Sequence, residues 1–183
     1  MKHAKIVIDG NIGAGKTTQL NILENEGYNV KREPIEKWPL DLFYSDPERW
    51  GFMFQIILLQ TLVTDNHTQI YERCPLSSLE VFWKLMKKTE IEDETYKKAY
   101  ELQGWGPDVY IYISTPPSVC KERVDSRKQA GDSGVSLEYL YKLHTAYMSM
   151  YDNMKCDKYI IDGTEPQDEI VKKIKQVINK YVV

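Results

Sequence analysis

Cysteine and histidine are scarce in this sequence, three of each among 183 residues. Cys74, Cys120 and Cys156 stand too far apart for any metal-ligand spacing, and an odd, scattered set suits a reducing, cytoplasmic compartment. Long apolar runs are lacking: none approaches the ~20 residues of a membrane-spanning helix, so no membrane partner is expected. A strand pattern begins by residue 4, so no leader is expected either. The net charge is −3, without the basic excess that a grip on a nucleic-acid polymer requires. Internal repeats and low-complexity tracts are absent. So is the N-K-x-D motif with which a GTPase switch reads its base. His3, His67 and His144 fall outside every motif, so no imidazole chemistry is expected.

What is present is an ordinary globular composition, 42% hydrophobic and 28% charged, and a length that corresponds to one domain over residues 1–183. Short continuous apolar runs at residues 4–8, 28–31, 69–71, 109–113 and 159–161 predict strands covered on both faces, as in a parallel sheet. Asp46 and Pro47 read as an N-cap and first helical residue, followed by the stripe Trp50, Met53, Phe54, Ile57, Leu58, Thr61 and Leu62. Thr115 and Pro116 repeat that start signal before Val119 and Val124. Leu137, Leu140, Tyr141, Tyr147, Met148 and Tyr151 form a third stripe, and Ile170, Val171, Ile174, Val177, Ile178 and Tyr181 a fourth. Alternating strands and helices predict a three-layer α/β domain with a parallel sheet of about five strands flanked by helices. The polar stretch 129–134 is either a surface turn or a short lid over a site.

Gly10, Asn11, Ile12, Gly13, Ala14, Gly15, Lys16 and Thr17 match G-x-x-x-x-G-K-[ST], with Thr18 following. Glycines let successive backbone N–H groups converge on phosphate oxygens, and a helix starting there adds its positive end. Lys16 then reaches the outer phosphates of ATP and the Thr17 hydroxyl ligates Mg²⁺. The motif sits between a strand pattern and a helix bearing Leu20 and Leu23, which is the context that it needs. Arg123 and Arg127 lie one helical turn apart, a pairing suited to a phosphate in transfer. A small chain with this pair late in its sequence points to a kinase of small molecules.

The segments "DGNIGAGKTT", "EPIEKW", "FYSDPERWGFMFQ", "YERCPLSS" and "PPSVCKERVDSR" through "VSLEYLYKLH", in this order, resemble the deoxynucleoside kinases. That group includes insect multisubstrate deoxynucleoside kinase and the mitochondrial thymidine, deoxycytidine and deoxyguanosine kinases, and the resemblance spans about residues 6–151. It implies that Glu33 is the base for a 5′-hydroxyl. It puts Arg73 beside the nucleobase and 5′-oxygen and gives Glu72 a share of the Mg²⁺. Trp38 becomes an aromatic wall, Gln55 the reader of the base edge, and Tyr44 and Asp132 the partners of the sugar 3′-hydroxyl. Leu58 shares a helix face with Gln55 and Leu62, and Leu62 and Ser78 stand where purine-preferring members carry charge. A neutral pocket of this kind predicts pyrimidine deoxynucleosides, thymidine and deoxycytidine, as acceptors. A homodimer is also implied.

The chain departs from the pattern in Cys74, where serine is usual, and in Asp125 and Gln129, where arginines stand. That leaves Arg123, Arg127 and Lys128 to carry the charge. Two other classes compete with this reading: a nucleoside monophosphate kinase resembling thymidylate kinase, with Arg32 as the extra clamp, and a non-catalytic nucleotide-binding module.

Overall fold

Continuous runs of Ile, Val and Tyr leave a strand no polar face to turn to water, so these strands need cover on both sides. The computed structural model describes residues 4–65, 69–127 and 132–181. Its sheet is all-parallel, in the order β2-β3-β1-β4-β5. The strands are β1 Ile6–Gly10, β2 Val30–Lys31, β3 Ile70–Glu72, β4 Val109–Ser114 and β5 Asp157–Asp162. β1 and β3 are buried throughout, whereas β5 carries exposed charges along one edge, which blunts further pairing. The second strand begins two residues later than its apolar run and ends with it at Lys31, and Glu33 lies two residues beyond that end.

The flanking helices are α1 Lys16–Asn25, α2 Leu40–Ser45, α3 Pro47–Thr61, α4 Pro75–Ser77, α5 Glu90–Gln103, α6 Pro117–Arg127, α7 Leu137–Asn153 and α8 Gln167–Ile178. The α4 turn continues directly into a π-helical segment, Ser78–Trp83. Asp46 caps α3 as its sequence predicts, accepting the Arg49 N–H at 3.1 Å. Thr115 does not cap α6: its hydroxyl donates to the Ala14 carbonyl at 3.0 Å, and the helix begins at Pro117.

Two predicted stripes are also corrected. On α3, Met53 faces solvent, and the helix is buried on two sides. Phe54, Leu58 and Leu62 pack against Trp38, Leu40 and Phe43, while Leu59 meets Trp83 and Tyr96. On α7, Leu137 and Tyr141 are exposed, and Leu140, Leu143, Tyr147 and Met150 form the buried stripe.

Connections leave β1 toward β2 and leave β3 toward β4, in opposite directions from adjacent strands. Their carboxyl ends therefore flank a crevice, the usual ligand position in an open α/β sheet.

Candidate active site

The phosphate loop joins β1 to α1 at this crevice. Gly13 and Gly15 adopt left-handed φ values of 78° and 99°. A Cβ on Gly13 would also come within 2.5 Å of the Cys120 carbonyl oxygen, so this turn admits only glycine. Asn11 secures the loop from within, donating from Nδ2 to the Leu140 carbonyl and accepting the Ile12 N–H. Lys16 Nζ donates to the carbonyls of Gly10 and Asn11 at 2.9 and 3.0 Å. Burial, then the Arg73 charge, push Lys16 down to about 8, against the pull of Glu72, Glu33 and Asp9. Thr17 is exposed on the cleft wall.

A cleft of about 530 Å³ opens beside the loop. At its charged end, Arg73 Nη1 donates to both carboxylate oxygens of Glu33, at 2.9 and 2.7 Å. Arg73 itself holds a left-handed backbone, φ 60°, at the end of β3. Burial raises the Glu33 carboxyl above the usual glutamate range, and Glu72 adds to the rise, against the charges of Arg73 and Lys16. Glu72, at the end of β3, is buried and lines the same cleft.

The other end is apolar. Trp38, Phe54, Leu58 and Phe82 face it, and the Trp38 indole is fixed by donating to Thr61 Oγ1 at 2.9 Å. Phe43 stacks on Phe54 with ring centroids 4.5 Å apart, and the Arg73 guanidinium lies 4.9 Å from the Phe82 ring. Gln55 is 1% exposed among these side chains, and its Oε1 has no hydrogen-bond partner among the described residues. Ser78 is buried at the same wall. Between the two ends, Arg127 Nε and Nη2 grip the Asp132 carboxylate at 2.8 and 2.7 Å, with Tyr44 beside them at the rim.

Thus Ile12, Gly13, Lys16, Thr17, Glu33, Trp38, Tyr44, Gln55, Leu58, Glu72, Arg73, Ser78, Arg127 and Asp132 come together at the cleft. Gly10, Asn11, Ala14, Gly15 and Thr18 belong to the loop itself without lining this cleft, and two further expected residues stand apart from it. Leu62 is buried in the Phe54 and Leu58 cluster, off the cleft, with its carbonyl accepting from the Trp105 indole at 2.7 Å. Arg123 braces the loop from behind, donating to the carbonyls of Ala14 at 3.2 Å and Gly163 at 3.0 Å. Both misplacements arise because helical spacing fixes a face and not what the face meets.

Lys128, Gln129, His3 and His67 lie outside the described residues. Asp125 pairs with Lys121 on the surface. Cys74 is fully buried, its thiol pushed up to about 12 by burial and the nearby Asp9. A thiol so raised carries little thiolate, and Ser77 Oγ donates to the Cys74 carbonyl at 2.8 Å, closing the turn that follows it.

Sequence reasoning missed Phe82, Tyr139, Asp9 and Tyr147. Phe82 lies outside any regular helical stripe because its segment is π-helical. Tyr139 lines the cleft, its phenol pushed up to about 12 by burial. Asp9, one residue before the loop motif, is a charged residue inside an apolar strand, and that was the available signal.

The fold and this loop define the class: a phosphate-loop kinase, built to bind a nucleoside triphosphate at the carboxyl edge of a parallel sheet. The family model "Deoxynucleoside kinase" matches residues 6–183. Among curated relatives, a protein of Invertebrate iridescent virus 6 named as kinase protein 143R is 30% identical over 190 residues, covering 97% of each chain. Mitochondrial thymidine kinase 2 of Homo sapiens is 30% identical over 166 residues, 78% of this chain and 62% of its own. In fold, deoxyadenosine kinase from M. mycoides with bound dCTP superposes with a TM-score of 0.84 at 23% identity, covering 96% of this chain and 99% of that one. The chain belongs to the deoxynucleoside kinase family, and it is an enzyme of the phosphotransferase type.

Proposed function

We propose that this protein transfers the terminal phosphoryl group of ATP to the 5′-hydroxyl of 2′-deoxynucleosides for nucleotide salvage. Pyrimidines, thymidine and deoxycytidine, are preferred, and residues 1–183 work as one domain. The observation that carries the acceptor reading is Gln55. A buried amide oxygen without a partner is costly, and it faces a slot walled by Trp38, Phe54 and Phe82 that fits a flat ring. A pyrimidine edge supplies the missing N–H donor, and the Gln55 amide can donate in return. Ser78 is small and neutral, and Leu62 adds no charge from behind, so a purine's further polar atoms find few partners. Mitochondrial thymidine kinase 2, a relative over most of this chain, supports the pyrimidine reading.

In the reaction, Glu33 takes the proton of the 5′-hydroxyl as the oxygen bonds to the terminal phosphorus and the bond to ADP breaks. Burial gives Glu33 the basicity this needs. Lys16, the loop N–H groups, Arg73 and Arg127 surround the phosphoryl group with positive charge, while Tyr44 and Asp132 hold the sugar.

Among the described residues, no cluster of three or more acidic, histidine or cysteine side chains is able to hold a metal by itself. One hydroxyl and one buried carboxylate, Thr17 and Glu72, suit Mg²⁺, which takes its remaining ligands from phosphates and water and would neutralise phosphate charge when bound. The homodimer follows the family resemblance, with exposed Met53 on α3 and Tyr141 on α7 as apolar surface to cover. Three free thiols support a reducing, cytoplasmic setting.

The monophosphate kinase reading has less support. Arg32, its candidate clamp, is already gripped by Glu24 at 2.7–3.1 Å and by Asn21. An ATP-coupled assay of the four deoxynucleosides and the four deoxynucleoside monophosphates tests the proposal. Turnover of thymidine and deoxycytidine is the expected result, and turnover of monophosphates alone would overturn it.

A further inference from the structure

Asp9 ends an otherwise apolar, fully buried stretch of β1, and its carboxylate is 0% exposed. Among the described residues its hydrogen bonds converge on one oxygen. Oδ1 accepts from the Gly10 N–H at 2.7 Å, from the Tyr147 hydroxyl at 3.0 Å and from Arg73 Nε at 3.3 Å. Oδ2 finds no hydrogen-bond donor among them. The Tyr147 hydroxyl also accepts from Arg73 Nε at 3.1 Å, so carboxylate, phenol and guanidinium close a triangle beneath the cleft. From that triangle the far side of Arg73 reaches Glu33 through Nη1, and Nη2 points at the Gly10 carbonyl at 3.4 Å. The arginine backbone is left-handed, a conformation that costs a non-glycine residue energy and persists only when its surroundings over-determine it.

A buried carboxylate that does not line the cleft, bonded to the arginine that grips Glu33, has a physical task. We infer that Asp9, with Tyr147, is the positioning element that fixes Arg73 and thereby sets the place and basicity of Glu33. The inference rests on the reading of Glu33 as the proton acceptor. It adds an anchor on β1 and α7 that joins the phosphate loop to the acceptor site through one arginine.

The direction of a titration shift distinguishes this from a plain charge effect. Glu33 is faced by Arg73 and Glu72 from the end of β3, by Lys16 from α1 and by Tyr147 from α7. Asp9 is faced by Arg73, Tyr147, Lys16, Tyr110, Tyr112 and Cys74. Removing the negative charge of Asp9 lowers the Glu33 pKa through the direct field. Releasing Arg73 from its place raises it, because Glu33 then loses the cation that favours its charged form.

The experiment follows the Glu33 side-chain carboxyl by carbon NMR across pH in glutamate-labelled full-length protein, assigned with Glu33→Gln. Wild type is compared with Asp9→Asn and Tyr147→Phe, each checked for folding by thermal melting. The expected result is an upward shift of the Glu33 midpoint in Asp9→Asn and a smaller one in Tyr147→Phe, where no charge changes. In parallel, kcat falls about tenfold or more, the scale of one lost hydrogen bond to a charged group, while KM for ATP moves less. An unchanged or lowered midpoint in the folded variants overturns the inference. Tyr147→Phe decides alone if Asp9→Asn does not fold. A wild type that phosphorylates no deoxynucleoside would defeat the functional proposal but leave the Glu33 titration to decide this one.

Discussion

Glu33 and Lys16 are charged groups pushed in opposite directions by the same burial, and each shift has a kinetic consequence. Because the Glu33 carboxyl is raised, its charged form is lost as pH falls through a value above the ordinary glutamate one of about 4.3. The acid limb of the kcat profile with thymidine should lie above that value, and a limb at or below it would remove Glu33 from the role. Glu33→Gln should cut kcat by about two orders of magnitude or more, the scale of losing a general base. Deoxynucleoside affinity should change much less, measured by ligand-quenched tryptophan fluorescence. Lys16→Ala should abolish ATP-dependent turnover while the melting curve stays cooperative. Turnover at the wild-type rate by that variant would end the assignment of the phosphate loop. The motifs around these residues were legible in the sequence, since glycine spacing and a following lysine carry their own geometry. The sequence puts Gln55 on one helix face with Leu58 and Leu62, but the solitude of its amide oxygen among the described residues is a fact of packing.

Elements rather than single side chains explain the second group of outcomes. Helix α6 carries two arginines at helical spacing, yet they serve different neighbours. Arg127 reaches the cleft and Asp132, whereas Arg123 turns to the carbonyls of Ala14 and Gly163 behind the loop. Arg123→Ala should therefore raise KM for ATP several-fold by loosening the loop, with a smaller change in kcat. A loss confined to kcat, in steady-state assays at saturating ATP, would place the guanidinium on the transferring phosphate instead. Helix α5 was not foreseen from apolar periodicity, although Thr89 and Glu92 form a capping box at its start. Its buried Tyr96 stacks on Trp83 with centroids 4.5 Å apart and supports α3 from the side away from the cleft. Thr89→Ala should cost about 1 kcal/mol, a fall of roughly 2–4 °C in melting midpoint for a chain of this size. Kinetic constants should stay unchanged, since the cap touches no cleft residue.

At the scale of the whole molecule, the sheet order brings the ends of β1 and β3 side by side, and in the proposed function the apolar slot of the cleft selects the acceptor. Unpaired buried polar groups cost about 1–3 kcal/mol each, so purine deoxynucleosides should be roughly fivefold to 150-fold poorer in kcat/KM than thymidine and deoxycytidine. Deoxyadenosine or deoxyguanosine as the best acceptor would show that the slot is read wrongly, leaving the family membership untouched. The amino-acid sequence by itself determined the parallel α/β architecture and the phosphate loop, because strand burial and glycine spacing are local patterns with one structural solution. It also determined the family, because five motifs recur in order along one chain. Only the tertiary structure decided which arginine faces the cleft, that Leu62 packs in the Phe54 and Leu58 cluster off the cleft, and that Asp9 and Tyr147 hold Arg73. Those outcomes depend on which faces of distant segments meet: Asp9 and Tyr147 are 138 residues apart in the chain and 3.0 Å apart in the fold. A periodic pattern names a face of a helix or strand, but the sheet order and the packing of every other element choose its neighbour.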